Sequence, residues 1–178
     1  PINNTYFCAI KLLSRTMENW IIRKIEKKDN QAVAKLIRAV FDELNIPKVG
    51  TAYADPYLDL MFEEYNKPKS VYYVVEKNSI IIGGAGIAPL ENETETICEL
   101  QKMYFLPEAR GLGIGSQMMG KCLQSAKDFG YEKCYLETMP FMLDAQKLYK
   151  KVGFEYICSP MGNTGHVSCP VWMLKELS

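Results

Sequence analysis

Residues 110–115 read Arg-Gly-Leu-Gly-Ile-Gly, with glycines at alternate positions directly before a helical pattern. Glycines leave the backbone bare, so its N–H groups can approach a ligand closely. A helix starting there adds unpaired N–H groups and the positive end of its dipole, which makes a seat for phosphate. The run does not end in Gly-Lys-Ser/Thr, so a P-loop is not supported. The dinucleotide fingerprint fails on spacing, and no early strand–turn–helix opens the chain. Three side chains elsewhere could accept a proton. Glu99 opens the strand that leads into the glycine turn, and Glu137 lies on the following strand in Tyr-Leu-Glu-Thr-Met. His166, the single histidine, has an ordinary pKa near neutrality. One histidine beside Cys169 is too little for a zinc site, and no metal is expected. Tyr149 falls on an apolar helical stripe, which by pattern alone reads as a core aromatic.

The elements that must position these residues follow from periodicity. Trp20 to Ile25 is a short apolar run and predicts a strand. Asp29 is a good N-cap for a helix whose apolar residues Val33, Leu36, Ile37, Val40, Phe41 and Leu44 recur at helical spacing. Pro56 to about Asn66 predicts a second helix. Val71 to Glu76 and Ile80 to Ala88 predict a hairpin over Lys77-Asn78-Ser79, with Gly83-Gly84 marking a bulge or a close backbone approach. The strand Thr96 to Leu106 follows, then the glycine turn and a helix over about Gly113 to Phe129. Lys133 to Thr138 is the next strand. Phe141, Ala145, Leu148, Tyr149 and Val152 predict the last helix. Phe154 to Cys158 and Val167 to Leu174 are the final strands, joined by a loop containing His166. The antiparallel meander runs into a strand–helix–strand unit whose strands must be parallel. The fold class is α/β with α+β mixed layers.

At 178 residues the chain suits one domain with a real core. Its 21 basic and 21 acidic residues cancel, which disfavours nucleic acid as a partner. No apolar run approaches ~18 residues, so no membrane span is expected. The six cysteines are scattered without a paired spacing, as in a reduced, cytoplasmic protein. Met17-Glu18-Asn19-Trp20 reads as a natural start. Residues 1–16 are therefore expected to be foreign to the domain, which spans 17–178.

With these elements in order, the chain resembles the GNAT superfamily of N-acetyltransferases. Arg110 to Gly115 fits the family's Arg/Gln-x-x-Gly-x-Gly/Ala motif. Ala145, Tyr149, Gly153 and Phe154 fit its second signature, Ala-x-x-x-Tyr-x-x-x-Gly-Phe. The resemblance implies a central mixed, mostly antiparallel sheet of about seven strands, with helices on both faces and a splay between the fourth and fifth strands. It implies acetyl-CoA as acetyl donor, held by Met103, Tyr104 and Phe105 on the splayed strand and by Arg110, Gly111, Leu112, Gly113, Ile114, Gly115 and Ser116 at the turn. It implies transfer to a primary amine of a small molecule or peptide. Tyr149 would be the general acid and Glu99 the general base, with Glu137 and His166 as rivals for the base. Tyr53, Asp55, Glu137 and His166 would line the acceptor side, and Tyr57 would stand beside the first two. The terminal strand Val171 to Leu174 is, by analogy, available to a homodimer surface. The alternative is a non-catalytic acyl-CoA-binding or sensing module of the same fold.

Overall fold

The structure, a computed structural model, describes residues 20–177. The segment 1–16 and the start at Met17 lie outside the described residues. Seven strands form one sheet: β1 (Trp20–Lys24), β2 (Val71–Lys77), β3 (Ile80–Pro89), β4 (Ile97–Phe105), β5 (Lys133–Thr138), β6 (Glu155–Tyr156) and β7 (Val171–Glu176). Their order is β1-β2-β3-β4-β5-β7-β6. All neighbours are antiparallel except β4 and β5. The β2–β3 hairpin turns on Asn78 and Ser79, both with left-handed φ (50° and 63°). Those dihedrals match the twist of the flanking strands.

Four α-helices cover the sheet: α1 (Asn30–Glu43), α2 (Met61–Tyr65), α3 (Ile114–Asp128) and α4 (Leu143–Lys151). On one face, Val33, Ile37, Val40 and Phe41 of α1 and Met61 of α2 pack with Tyr72 and Val74 of β2. On the other, Met118, Met119 and Cys122 of α3 and Tyr149 of α4 pack with Tyr73, Ile87, Leu100 and Leu136. Helices thus lie on both faces, as the resemblance implies.

The parallel pairing of β4 with β5 is short: it runs from Ile97–Lys133 to Glu99–Tyr135 and stops. Beyond Glu99 the two strands part. On its other side β4 stays paired with β3, but the register slips between Gly84 and Gly86, so two residues of β4, Lys102 and Met103, stand against Ala85 alone. Lys102 adopts φ 49°, a left-handed value uncommon for a side-chain-bearing residue. This β-bulge inverts the alternation of the strand. Cys98 and Leu100 belong to the core under α3. Past the bulge Met103 and Phe105 pack on that face, and Tyr104 packs under α1. The glycines of β3 make room: a Cβ on Gly83 would sit 2.2 Å from the Phe105 ring, and one on Gly84 would sit 2.6 Å from the Tyr72 ring.

Three elements differ from their sequence expectation. The helix expected over Pro56 to Asn66 is a 3₁₀ turn (Leu58–Leu60) followed by α2, because Leu60 leaves the helical region (φ −129°, ψ 38°). The side chain of Asn30 accepts the Phe62 N–H at 2.7 Å and starts a fresh helix there. The strand expected from Phe154 to Cys158 shortens to Glu155–Tyr156, the residues in ladder register with β7, and ends after one further bond from the Ile157 N–H to the Trp172 carbonyl (3.1 Å). The last strand starts at Val171 rather than Val167, because the Ser168 N–H donates to the Gly50 carbonyl (3.1 Å) and Pro170 has no N–H to donate.

Candidate active site

The turn before α3 is built to leave backbone exposed. Gly111 and Gly113 take φ values of 75° and 78°, and a Cβ on either would meet nothing within 4 Å. Their conformation favours glycine, while the space beside them is open. Gly113 is the N-cap of α3, and no side chain caps the helix. The first-turn N–H groups of Ile114, Gly115 and Ser116 therefore have no intrahelical acceptor. Ile114 buries its side chain in the core, so it can offer a ligand its backbone alone. Leu112 stands exposed at the rim. Gly115 lets α4 come close, since a Cβ there would lie 3.2 Å from Leu148. The Arg110 side chain faces the protein. Its Nε donates to the Phe105 carbonyl (2.9 Å), and its two Nη groups hold Glu43 at 2.7 Å each. Arg110 fixes the turn to β4 and to α1.

A cleft of about 690 Å³ extends from this turn along the parted strand, lined by Met103, Tyr104, Phe105, Gly111, Leu148 and Tyr149 among others. Its floor is unpaired backbone. The Leu106 N–H donates to the Ile82 carbonyl at 2.9 Å, which makes Gly83–Phe105 a non-hydrogen-bonded pair of the antiparallel ladder. The N–H and C=O of Phe105 therefore point away from β3, to the side where β5 has left. Arg110 takes the carbonyl. The N–H faces the cleft, positioned to donate to an extended ligand or to a developing oxyanion.

Tyr149, on α4, stands where this cleft meets a second cavity of about 50 Å³, and it lines both. Its ring packs on Phe154 with centroids 6.1 Å apart. Its hydroxyl makes no hydrogen bond among the described residues, and burial pushes the phenol up to about 12. It is protonated at neutral pH and has a proton to give.

On the α1 side of the splay, charged residues from four segments converge. Glu99 is the last β4 residue paired with β5 and is buried. It accepts from Gln101 Nε2 at 2.6 Å, and Gln101 in turn accepts from the Tyr65 hydroxyl at 2.6 Å. Burial pushes the Glu99 carboxyl up to about 7. Glu137, two residues beyond Glu99's partner on β5, accepts from Tyr135 (2.7 Å) and Thr164 (3.0 Å), and burial raises it too. Asp55 bridges Lys102 Nζ (2.5 Å) and His166 Nε2 (3.2 Å). Burial raises the Asp55 carboxyl, but these two partners outweigh it and hold it below its ordinary value. Burial lowers His166, and the bond and charge of Asp55 reverse that to a net rise.

Asp55, Glu99, Glu137 and His166 thus stand together. Tyr53 and Tyr57 do not join them: Tyr53 packs on Phe41 with Lys48 over its ring, and Tyr57 is exposed. Sequence reasoning missed Lys102, Gln101 and Tyr65. Gln101 and Lys102 were within sight, in the strand that the glycine-rich β3 marks for a bulge, but a bulge's position is not written in residue type.

The Acetyltransferase (GNAT) family model matches residues 34–154, which holds both motifs and the splay. The uncharacterized N-acetyltransferase YjgM of Escherichia coli (strain K12) is 43% identical over 88% of this chain and 95% of its own length. A GNAT-family acetyltransferase of Staphylococcus aureus Mu50 superposes with a TM-score of 0.79 at 20% identity, covering 89% of this chain and 99% of that one. The protein yncA of Salmonella typhimurium, solved with acetyl-CoA, superposes with a TM-score of 0.71 at 17% identity over 90% of this chain and 95% of that one.

Proposed function

The chain belongs to the GNAT family of acetyltransferases, and on that premise we propose that it moves an acetyl group from acetyl-CoA to a primary amine. The observation that carries this reading is the splay. Acetyl-CoA offers a diphosphate, an amide-bearing arm and a thioester, and the cleft offers complements in that order: open backbone at Gly111 to Ser116, unpaired strand backbone at Met103 to Phe105, and the Phe105 N–H.

Attack on a thioester needs a neutral amine, so a base must take a proton from the ammonium form. Glu99 fills that role through water, since its carboxyl is poised near neutrality. The Phe105 N–H stabilises the negative charge that develops on the carbonyl oxygen. As the C–N bond forms and the C–S bond breaks, the electron pair leaves on sulfur. Tyr149, protonated and with a hydroxyl that makes no hydrogen bond among the described residues, supplies the proton. His166 is held by Asp55, and Glu137 by two hydroxyl donors. They shape the acceptor side and are the weaker choices for the base.

Calorimetric titration with acetyl-CoA, with ATP and NAD as controls, followed by CoA-release assays across a panel of amines, tests the reading. Saturable binding of acetyl-CoA alone together with amine-dependent CoA release is the expected result. Binding without release for any amine would favour the non-catalytic acyl-CoA-binding module. Absence of binding would overturn both.

A further inference from the structure

The 50 Å³ cavity on the acceptor side has room for on the order of four waters. Its wall carries one ammonium, Lys102, and one carboxylate, Glu137, and it shares the hydroxyl-bearing Tyr104 and Tyr149 with the cofactor cleft. The Lys102 side chain is only 9% exposed, and among the described residues its one ion pair is with Asp55. A lysine ammonium has three N–H donors, so the bond to Asp55 leaves two for other acceptors. An under-satisfied buried ammonium favours a further anionic acceptor strongly. Glu137, by contrast, presents negative charge to the same small space.

The loop over the cavity is tied down on both sides. His166 bonds Asp55, and Ser168 donates from its N–H to the Gly50 carbonyl and from its hydroxyl to the Val49 carbonyl (3.0 Å). Across the cavity Thr164 donates to Glu137, and the Asn163 N–H donates to the Glu91 carbonyl at 2.9 Å.

We infer that the acceptor is a small zwitterion of amino-acid type, with its carboxylate held by Lys102 and its ammonium facing Glu137. This rests on the acetyltransferase reading above. A simple cationic amine would meet Lys102, an anion would meet Glu137, and a molecule carrying both charges a few bonds apart satisfies each. His166 is hydrogen-bonded to the same Asp55 that holds Lys102.

The test compares kcat/KM for free α-amino acids with their amides and with the corresponding decarboxylated amines, in the natural protein and in Lys102→Met and Lys102→Arg. The natural protein is expected to prefer the free acid by about 100-fold, the worth of a charge-assisted bond to a buried ammonium. Lys102→Met is expected to bring that ratio to about one by raising KM for the acid, and Lys102→Arg to restore part of it. Acetyl-CoA affinity, read by calorimetry, reports that each variant is folded. Equal use of amides and acids by the natural protein, or a ratio that Lys102→Met leaves intact, overturns the inference while amine-dependent CoA release still stands. Loss of CoA release with every amine overturns the acetyltransferase reading and this inference with it.

Discussion

Glu99 carries two opposite demands. Its carboxyl is held at about 7 by burial, against an ordinary 4.5. Between those values the native state keeps a proton that the unfolded state has lost, so stability falls as pH rises through that window. The full penalty, reached above pH 7, is about 3 kcal/mol by the difference of the two values. Glu99→Gln is therefore expected to resist urea better than the natural protein at pH 8 and no better at pH 4.5. It should lower kcat/KM for the acceptor by about 10²- to 10⁴-fold, as expected for loss of a general base. In the natural protein kcat/KM should rise with pH through about 7, and the variant should lack that limb. A pH profile that keeps the limb would assign the proton transfer to another group. Tyr149→Phe is expected to lower kcat by about 10²-fold with acetyl-CoA affinity unchanged, checked by calorimetry beside steady-state rates. Among the described residues the hydroxyl has no hydrogen-bond partner to lose, so a fall in kcat without a fall in melting temperature separates the acid role from core packing.

At the scale of elements, the strand–turn–helix unit was legible because its reasons are local. Alternate glycines, a proline before them and a helical stripe after them need no distant partner to be read. Gly113→Glu is expected to abolish acetyl-CoA binding, since it puts a side chain and negative charge into the seat and strains a left-handed residue. Arg110 is the motif's most visible charge, yet it clasps Glu43 and the Phe105 carbonyl. Arg110→Ala should cost less than about 1 kcal/mol of stability from that half-exposed pair. By calorimetry it should weaken acetyl-CoA far less than Gly113→Glu does. Gly83→Ala meets the Phe105 ring at 2.2 Å. A loss of about 1–3 kcal/mol in thermal unfolding is expected, as for overpacking elsewhere. What the sequence hid was non-local. Lys102 looks like any strand lysine until Asp55, 47 positions earlier, meets it. The last strand starts late because Ser168 bonds to Gly50, and that loop contact leaves no periodic trace.

For the whole molecule, the splay is a gap in an otherwise continuous sheet, and a ligand that pairs with it should stabilise the fold. Acetyl-CoA at 100 times its dissociation constant would add about 2.7 kcal/mol. For a chain of this size that is a rise of about 5–10 °C in melting temperature, measurable by differential scanning calorimetry. The terminal strand, read as a candidate dimer surface, lies inside the sheet with β5 on one side and the two residues of β6 on the other. Among the described residues no helix is long and apolar enough to cross a membrane. The bulge at Lys102 reaches further than its one extra residue. It divides β4 into two reading frames, in which odd-numbered residues before it and even-numbered residues after it address the same side. Straightening the strand with Lys102 kept in it would act as a frameshift in space. Every residue type would be kept, but Tyr104 would trade faces with Met103 and Phe105. Variation along this strand is therefore constrained first by its count and only then by its chemistry.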